Sequence, residues 1–499
     1  MTRHTLYILF FLISLSGLAG NKLRLEKANK LKGTTYKGQK VNKVIGDVVF
    51  KQNDVTMYCD SAFQYMKKDY IEAFGHVKIY QGNKTKLFGD SLKYDGLMKY
   101  AIMYGDVRME DQNMTLVTTK VEYDTKNKIA HYNQEGTITN KDTKLISQSG
   151  HYLSRLSTYH FIDSVTLTKD DYTLTSDTLH YNVNTHLATF FGPTTITAKD
   201  KYLFAEKGNY NTETEISIFT EKAFIKAKEY TIKGDSLYYE NKTEIGYAEG
   251  NVELSTIKDS LLIQGGIAER DGIKGISKVF NNPVMTKMMN GDTLLLMADT
   301  LISYDDTLDL DDHLLAFNNV KIFKNDLQAI CDSLAYMMSD SAIYFYTNPV
   351  LWNDLNQISG DSIYITLKNN EIDKMYADIN SFLISHDTLN DFNQTKGRNM
   401  IAHFAKGEIE HVNINGNGQT IYYARNNEGQ LIGLNYIECS DMVILFEKNE
   451  LKHINFLDRP DSKFIPPHEI KKPEKTLKKF QWEIDQKPKK KDFTKIQNI

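Results

Sequence analysis

Cysteine and proline are scarce, at 3 and 8 of 499 residues. Cys59, Cys331 and Cys439 lie far apart and are odd in number, which argues against a disulfide framework or a short-spaced zinc site. Charge of one sign is missing as well. The formal net charge is −4, which gives nucleic acid no electrostatic reason to be a partner. No His-Glu-x-x-His, Gly-x-Ser-x-Gly or phosphate-cradling glycine loop occurs, and the 13 histidines are scattered. The chain is therefore expected to have no catalytic residues, no metal and no cofactor. Past the N-terminus, no stretch approaches the ~20 apolar residues that a spanning helix needs.

What is present is aromatic and β-branched. Tyr (30) and Phe (24) are abundant, and such residues fit a pleated, half-buried surface better than a helix. With 41% hydrophobic and 25% charged residues the chain can bury a core. The expectation is an all-β protein. At the N-terminus, Arg3 and His4 precede an apolar run from Leu6 to Leu15, then Gly17-Leu18-Ala19. That layout reads as a secretory signal peptide over residues 1–20, with an uncleaved anchor as the alternative.

A short signature recurs every 28 to 32 residues for most of the chain: Gly or Asn, one residue, then Val with an apolar residue two further on. Copies place Val48 with Phe50, Val77 with Ile79, Val107 with Met109 and Val165 with Leu167. Later copies place Val252 with Leu254 and Val320 with Ile322, and weaker ones bring the total to about eleven. A second signature follows about a dozen residues later: small residue, Asp, Ser or Thr, apolar, any residue, Tyr. Gly89-Asp90-Ser91-Leu92-Lys93-Tyr94 and Gly234-Asp235-Ser236-Leu237-Tyr238-Tyr239 are examples. Cys59 and Cys331 stand at its small position, as packing residues.

In Val77-Lys78-Ile79 apolar and charged residues alternate, the period of a strand with one buried face. A Gly inside such a run marks a bulge or bend. Pro193, Pro283 and Pro349 fall at the same place, where a missing ladder donor is tolerated. Each repeat thus reads as two antiparallel strands bent near the middle, which folds the sheet into two facing antiparallel layers: an elongated, open-ended β-jelly roll. At 4.7–4.9 Å per strand, eleven repeats predict a rod on the order of 100 Å. The apolar pairs named above are the candidate lining of a lengthwise groove; ordinary core is their plainer reading.

From about residue 365 the echoes of Ile363–Ile372 at Met400–Ile409 and Met442–Leu451 predict hairpins that continue or cap the sheet through residue 458. The remaining five prolines all follow Arg459, in a Lys-rich stretch read as a mobile, solvated tail over 459–499. Contact of its lysines with anionic lipid heads or a partner is the alternative.

Ala73-Phe74-Gly75-His76-Val77-Lys78-Ile79, followed by Leu87-Phe88-Gly89-Asp90-Ser91-Leu92-Lys93-Tyr94, resembles the OstA/LptA-type repeat. The resemblance covers roughly residues 41 to 364. It implies a β-jelly roll that shelters lipopolysaccharide acyl chains between its sheets, and a periplasmic bridge toward the outer membrane. It also implies partners: lipopolysaccharide, and other transport components or further copies joined edge to edge at open sheet edges. This chain departs from that family by being far longer than the single-domain bridges and by lacking an outer-membrane barrel. Two rivals share the repeat. The recurring Asp60, Asp90, Asp177, Asp235, Asp299, Asp332 and Asp361 resemble catalytic acids, but a column of equivalent acids is not one asymmetric site. The same column suggests a calcium-binding adhesin or envelope scaffold, although Lys120, Gly150 and Lys207 interrupt it.

Overall fold

The computed structural model describes residues 22–494, apart from 66, 112–113, 229, 257–259, 290, 306–311 and 387–390. The segment expected to be a signal peptide, 1–20, lies outside the described residues. What is described is all-β, with strands paired antiparallel and four short 3₁₀ turns after residue 466. No helix among the described residues is long and apolar enough to cross a membrane. The chain divides into two compact units, 1–199 with 209–213, and 200–208 with 214–499.

In the first unit the long strands pair in chain order. Gln39–Gln52 pairs with Val55–Tyr65, which pairs with Tyr70–Gln81, which pairs with Thr85–Asp95. Every pairing slips at mid-strand. Phe74 faces Ser91 and Val77 faces Gly89, so Gly75 and His76 together oppose Asp90 alone. Two residues against one is a β-bulge, and it sharpens the local bend. The bulge pairs hold left-handed backbone: Gly46 (φ 82°) with Asp47 (44°), and Gly75 (76°) with His76 (43°). Asp163 with Ser164 adopts the same conformation in this unit. Only Gly, Asn and Asp visit that region cheaply, so these types recur there.

Val48–Gln52 and Val77–Gln81 both pair with the half-strand from Val55 to Tyr58, while the half-strands Asn42–Ile45 and Tyr70–Phe74 pair with the other half, Ser61–Tyr65. Two layers result, joined covalently at the bends, with turns at the opposite rim. Inward residues alternate with outward ones, as in Val107, Arg108 and Met109 (0%, exposed, 3%).

The second unit repeats the device. Its bends fall at Glu221-Lys222, Gly250-Asn251, Asn281-Asn282, Asn318-Asn319, Thr347-Asn348, Ile379-Asn380 and Gly416-Asn417. Strands Glu371–His386, Phe392–Ala405, Glu408–Arg425 and Leu431–Glu447 carry the same pairing past residue 365.

The Pro/Lys-rich tail is not the solvated spacer its composition suggests. Asp461–Ile465 is a strand paired to Leu431–Glu447. Beyond it the chain lies as an extended strap, with Leu477 and Phe493 each 5% exposed. Leu477 packs with Phe382, Ile384, Ile421, Tyr423, Leu434 and Ile465, and Phe480 and Trp482 lean on the same cluster. Phe493 packs on Val284 and Leu295. Two buried amides hold the strap backbone. Gln394 donates to Lys475 O (2.8 Å) and accepts from Leu477 N (2.8 Å). Gln357 donates to Gln481 O (2.8 Å) and accepts from Glu483 N (2.8 Å). Thinly spaced apolar anchors, not overall hydropathy, fix the segment.

Candidate functional site

The two sequence signatures meet at the bends. The carboxylate of one strand sits on the bulge of the next: Asp60 Oδ2 lies 2.8 Å from His76 Nδ1, and Asp106 N donates to Asp90 Oδ2 at 3.4 Å. In the second unit Asn251, Asn319 and Asn380 donate side-chain amides to Asp235, Asp299 and Asp361. A Cβ on Gly75 would stand 2.3 Å from Asp60 Oδ2, on backbone already at φ +76°. Gly75→Val is therefore expected to cost on the order of 3 kcal/mol, through left-handed strain and the clash. Urea denaturation checks this; an unchanged midpoint contradicts it. Asp60, Asp90, Asp235, Asp299 and Asp361 are thus occupied in holding bulges.

The twelve sequence-predicted groove residues all face inward. Val48, Phe50, Val77, Ile79, Val107, Met109, Val165 and Leu167 in the first unit are each 3% exposed or less. In the second unit Val252, Leu254, Val320 and Ile322 reach 4% at most. An open groove at these positions is not what the structure has; at each of them the seam is shut. Large side chains fill it, Tyr94, Tyr123, Phe161 and Phe190 among them.

The rim opposite the bends is latched by side chains. Gln52, the last residue of its strand, accepts from the Tyr94 hydroxyl and donates to Gly96 O at 2.9 Å. Gln81 repeats this one hairpin on, accepting from Tyr123 Oη (2.6 Å) and donating to Thr125 O (2.8 Å). At the next position Asp111 accepts from Ser154 Oγ (2.7 Å) and Thr85 Oγ1 (2.8 Å). Lys128 Nζ reaches Asp54 Oδ2 across the same rim at 3.7 Å. Burial pushes the Tyr94 phenol up to about 12, so it stays a donor. Sequence reasoning missed this latch. Its signal was the Tyr closing the second signature, matched to a polar residue ending each Val strand.

On the outer face of the first unit, histidines from four adjacent strands stand in one row. His151 pairs in register with His131 and with His160, and His160 with His180. The rings of His131 and His151 stack at 4.4 Å, and those of His160 and His180 at 3.8 Å. Burial first, then neighbouring imidazolium charge, lowers the pKa of His151 and His160, and burial lowers that of His180. Glu122 faces His131 at one end of the row, engaged by Lys120 and Tyr100, and Phe191 abuts His180 at the other. An imidazole whose folded pKa is depressed binds fewer protons than the unfolded chain. Its contribution is present above the unfolded value, about 6.5, and is lost as pH falls below it. Urea midpoints are expected to drop between about pH 7.5 and pH 5, and His160→Gln to flatten that drop. Identical pH slopes for the two proteins contradict the assignment.

The three thiols are free and buried, and burial pushes those of Cys59 and Cys331 up to about 12.

A family described as "OstA-like protein" matches residues 20–177 and 165–235. Residues 20–235, less than half of the chain, are similar to that family. The OstA-like region holds the latch residues and the first eight seam residues; Val252, Leu254, Val320 and Ile322 lie beyond it. Among solved structures the chain is similar to LptH of Pseudomonas aeruginosa, titled the LptA-homologous periplasmic component of a conserved lipopolysaccharide transport device. Identity is 16%, coverage 26% of this chain and 75% of that one, and the TM-score 0.15. No curated protein matches the sequence.

Proposed function

We propose that this protein is a periplasmic, non-catalytic lipopolysaccharide-transport component. In this reading its OstA-like strands form a β-jelly roll that takes lipid acyl chains between its layers. The observation that carries the reading is the latched seam. Two apolar layers are joined covalently at the bends, while at the rim bonds such as Gln52–Tyr94 and Gln81–Tyr123 hold them shut. Exchanging these bonds for a lipid requires no unfolding of the bends. Each CH₂ sheltered from water contributes about 0.8 kcal/mol, so a lipid with several acyl chains offsets a few opened hydrogen bonds. Partners in this reading are lipopolysaccharide and either other transport components or further copies, added at open sheet edges. Arg24–Lys27 and Lys30–Tyr36 are edge strands of the first unit, each paired on one side to Gln39–Gln52.

A non-catalytic envelope scaffold is the second reading, and the closed seam favours it. Calorimetry separates the two. Saturable heat on adding lipopolysaccharide is expected; no heat leaves the scaffold standing, and heat with Ca²⁺ alone indicates a calcium-bound repeat instead.

A further inference from the structure

The strap does not cover the whole outer face it crosses. Between it and the ridge of bends in the second unit runs a groove of about 1440 Å³. Its floor includes Ile330, Val350 and Phe382, while polar bend residues such as Asn348, Asp361 and Asn380 form one wall. The other wall is the strap, which contributes Lys478, Lys479, Lys487, Lys489 and Lys491. Lys321, Lys396 and Arg398 reach in from the strands. Four acids share the lining: Asp361, Glu483, Asp485 and Asp492. Eight cations therefore face four acids, in a chain whose overall charge is −4.

None of the eight cations forms an ion pair among the described residues. Three of the four acids are engaged by neutral donors: Asp361 by Asn380 Nδ2, Glu483 by Gln486 Nε2 and Asp492 by Lys489 N. Lys487 is half-buried, donates to the Asp354 carbonyl at 2.8 Å and has its pKa lowered by burial. Burial outweighs the opposing charge of Asp354, and a partly desolvated ammonium with no carboxylate at ion-pair distance gains more from an incoming anion than a solvated surface lysine does.

We infer that this groove is a binding site for an anionic amphiphile, a phosphate-bearing headgroup with an alkyl chain, lying outside the sandwich. The cationic walls take the phosphate, and the floor of Ile330, Val350 and Phe382 takes the first part of the chain. The site is built by the tail's lysines together with bend and strand residues of the second unit. It stands or falls independently of lipid entry between the layers.

Dodecyl phosphate, below its micelle concentration and with the full-length chain, is the probe. Binding is expected, and reversing Lys478, Lys479, Lys489 and Lys491 to Glu should weaken it by roughly tenfold or more. Arg398→Glu, on the strand wall and away from the strap, should weaken it in the same direction if strap reversal disturbs folding. Neutral dodecyl maltoside should bind the wild type and both variants equally weakly; it also reports any chain uptake by the seam, which charge reversal leaves alone. Equal binding of dodecyl phosphate by wild type and variants overturns the inference. So does charge reversal weakening dodecyl maltoside as much as dodecyl phosphate, and inorganic phosphate binding as tightly as dodecyl phosphate reduces the groove to a simple anion site, which also overturns it.

Discussion

Bridging Asp54→Cys to Lys128→Cys with a short bis-maleimide is expected to abolish lipopolysaccharide capture, cutting bound lipid by roughly tenfold or more. The native pair spans the rim at 3.7 Å, so the bridge pins the two layers at the place where the proposed function has them part. Removing the ion pair itself should matter little. Both partners are substantially exposed, and such pairs contribute about 0–1 kcal/mol. On the proposed function, the unbridged double variant is expected to match the wild type in lipid capture. Native thiols do not interfere, since all three are buried and burial raises the pKa of each. Undiminished capture by the bridged protein would mean that lipid does not enter through this rim. The opposite change, Gln52→Leu with Gln81→Leu, strips Tyr94 and Tyr123 of their acceptors and should speed lipid uptake while lowering stability.

Truncation after Pro466 is the second large effect. It uncovers a sheet face carrying Val350, Trp352, Phe382, Ile384 and Leu434, all now buried. It also removes Leu477 and Phe493, whose burial is worth about 1.5–3 kcal/mol each before the strap's ordering entropy is subtracted. The truncated chain is expected to aggregate, because a contiguous apolar face of this size is rare on a soluble surface. Leu477→Ala tests the same contact more gently. It should cost about 2–4 kcal/mol as a cavity in the cluster around Phe382 and Ile421. Chemical denaturation followed by Trp fluorescence reads it directly, because Trp482 leans on that cluster. A truncated protein that stays monomeric with an unchanged melting curve contradicts this role for the strap.

The repeat was legible because it rests on backbone chemistry that few residue types can supply. Gly46-Asp47, Gly75-His76 and Gly250-Asn251 hold left-handed backbone, and this necessity writes a period into the sequence. The pairing of the Gly and Asp signatures was visible too, though not its cause, which is a carboxylate seated where a Cβ cannot go. Inward alternation correctly picked out buried positions such as Val107 and Met109. It carries no information about whether the space between the layers is open, because a filled seam and an empty one ask for the same side chains. The latch depends on contacts more than 40 residues apart, Gln52 with Tyr94 and Gln81 with Tyr123. The strap was misread for a different reason. Its anchors sit among lysines and prolines, so local composition hides them. The missed signal lay in its partner strands. Leu351-Trp352 and Phe382-Leu383-Ile384 are apolar at successive positions, which means both faces are covered.

Photo-crosslinking in living cells tests the central claim most directly. A photoreactive residue at Ile79, Met109 or Leu254 is buried between the layers, whereas one at Lys78 or Arg108 points outward. The account predicts lipopolysaccharide adducts at the three inward positions and none at the outward two. Adducts only at the outward positions, or none at all, would show that no lipid passes between the layers.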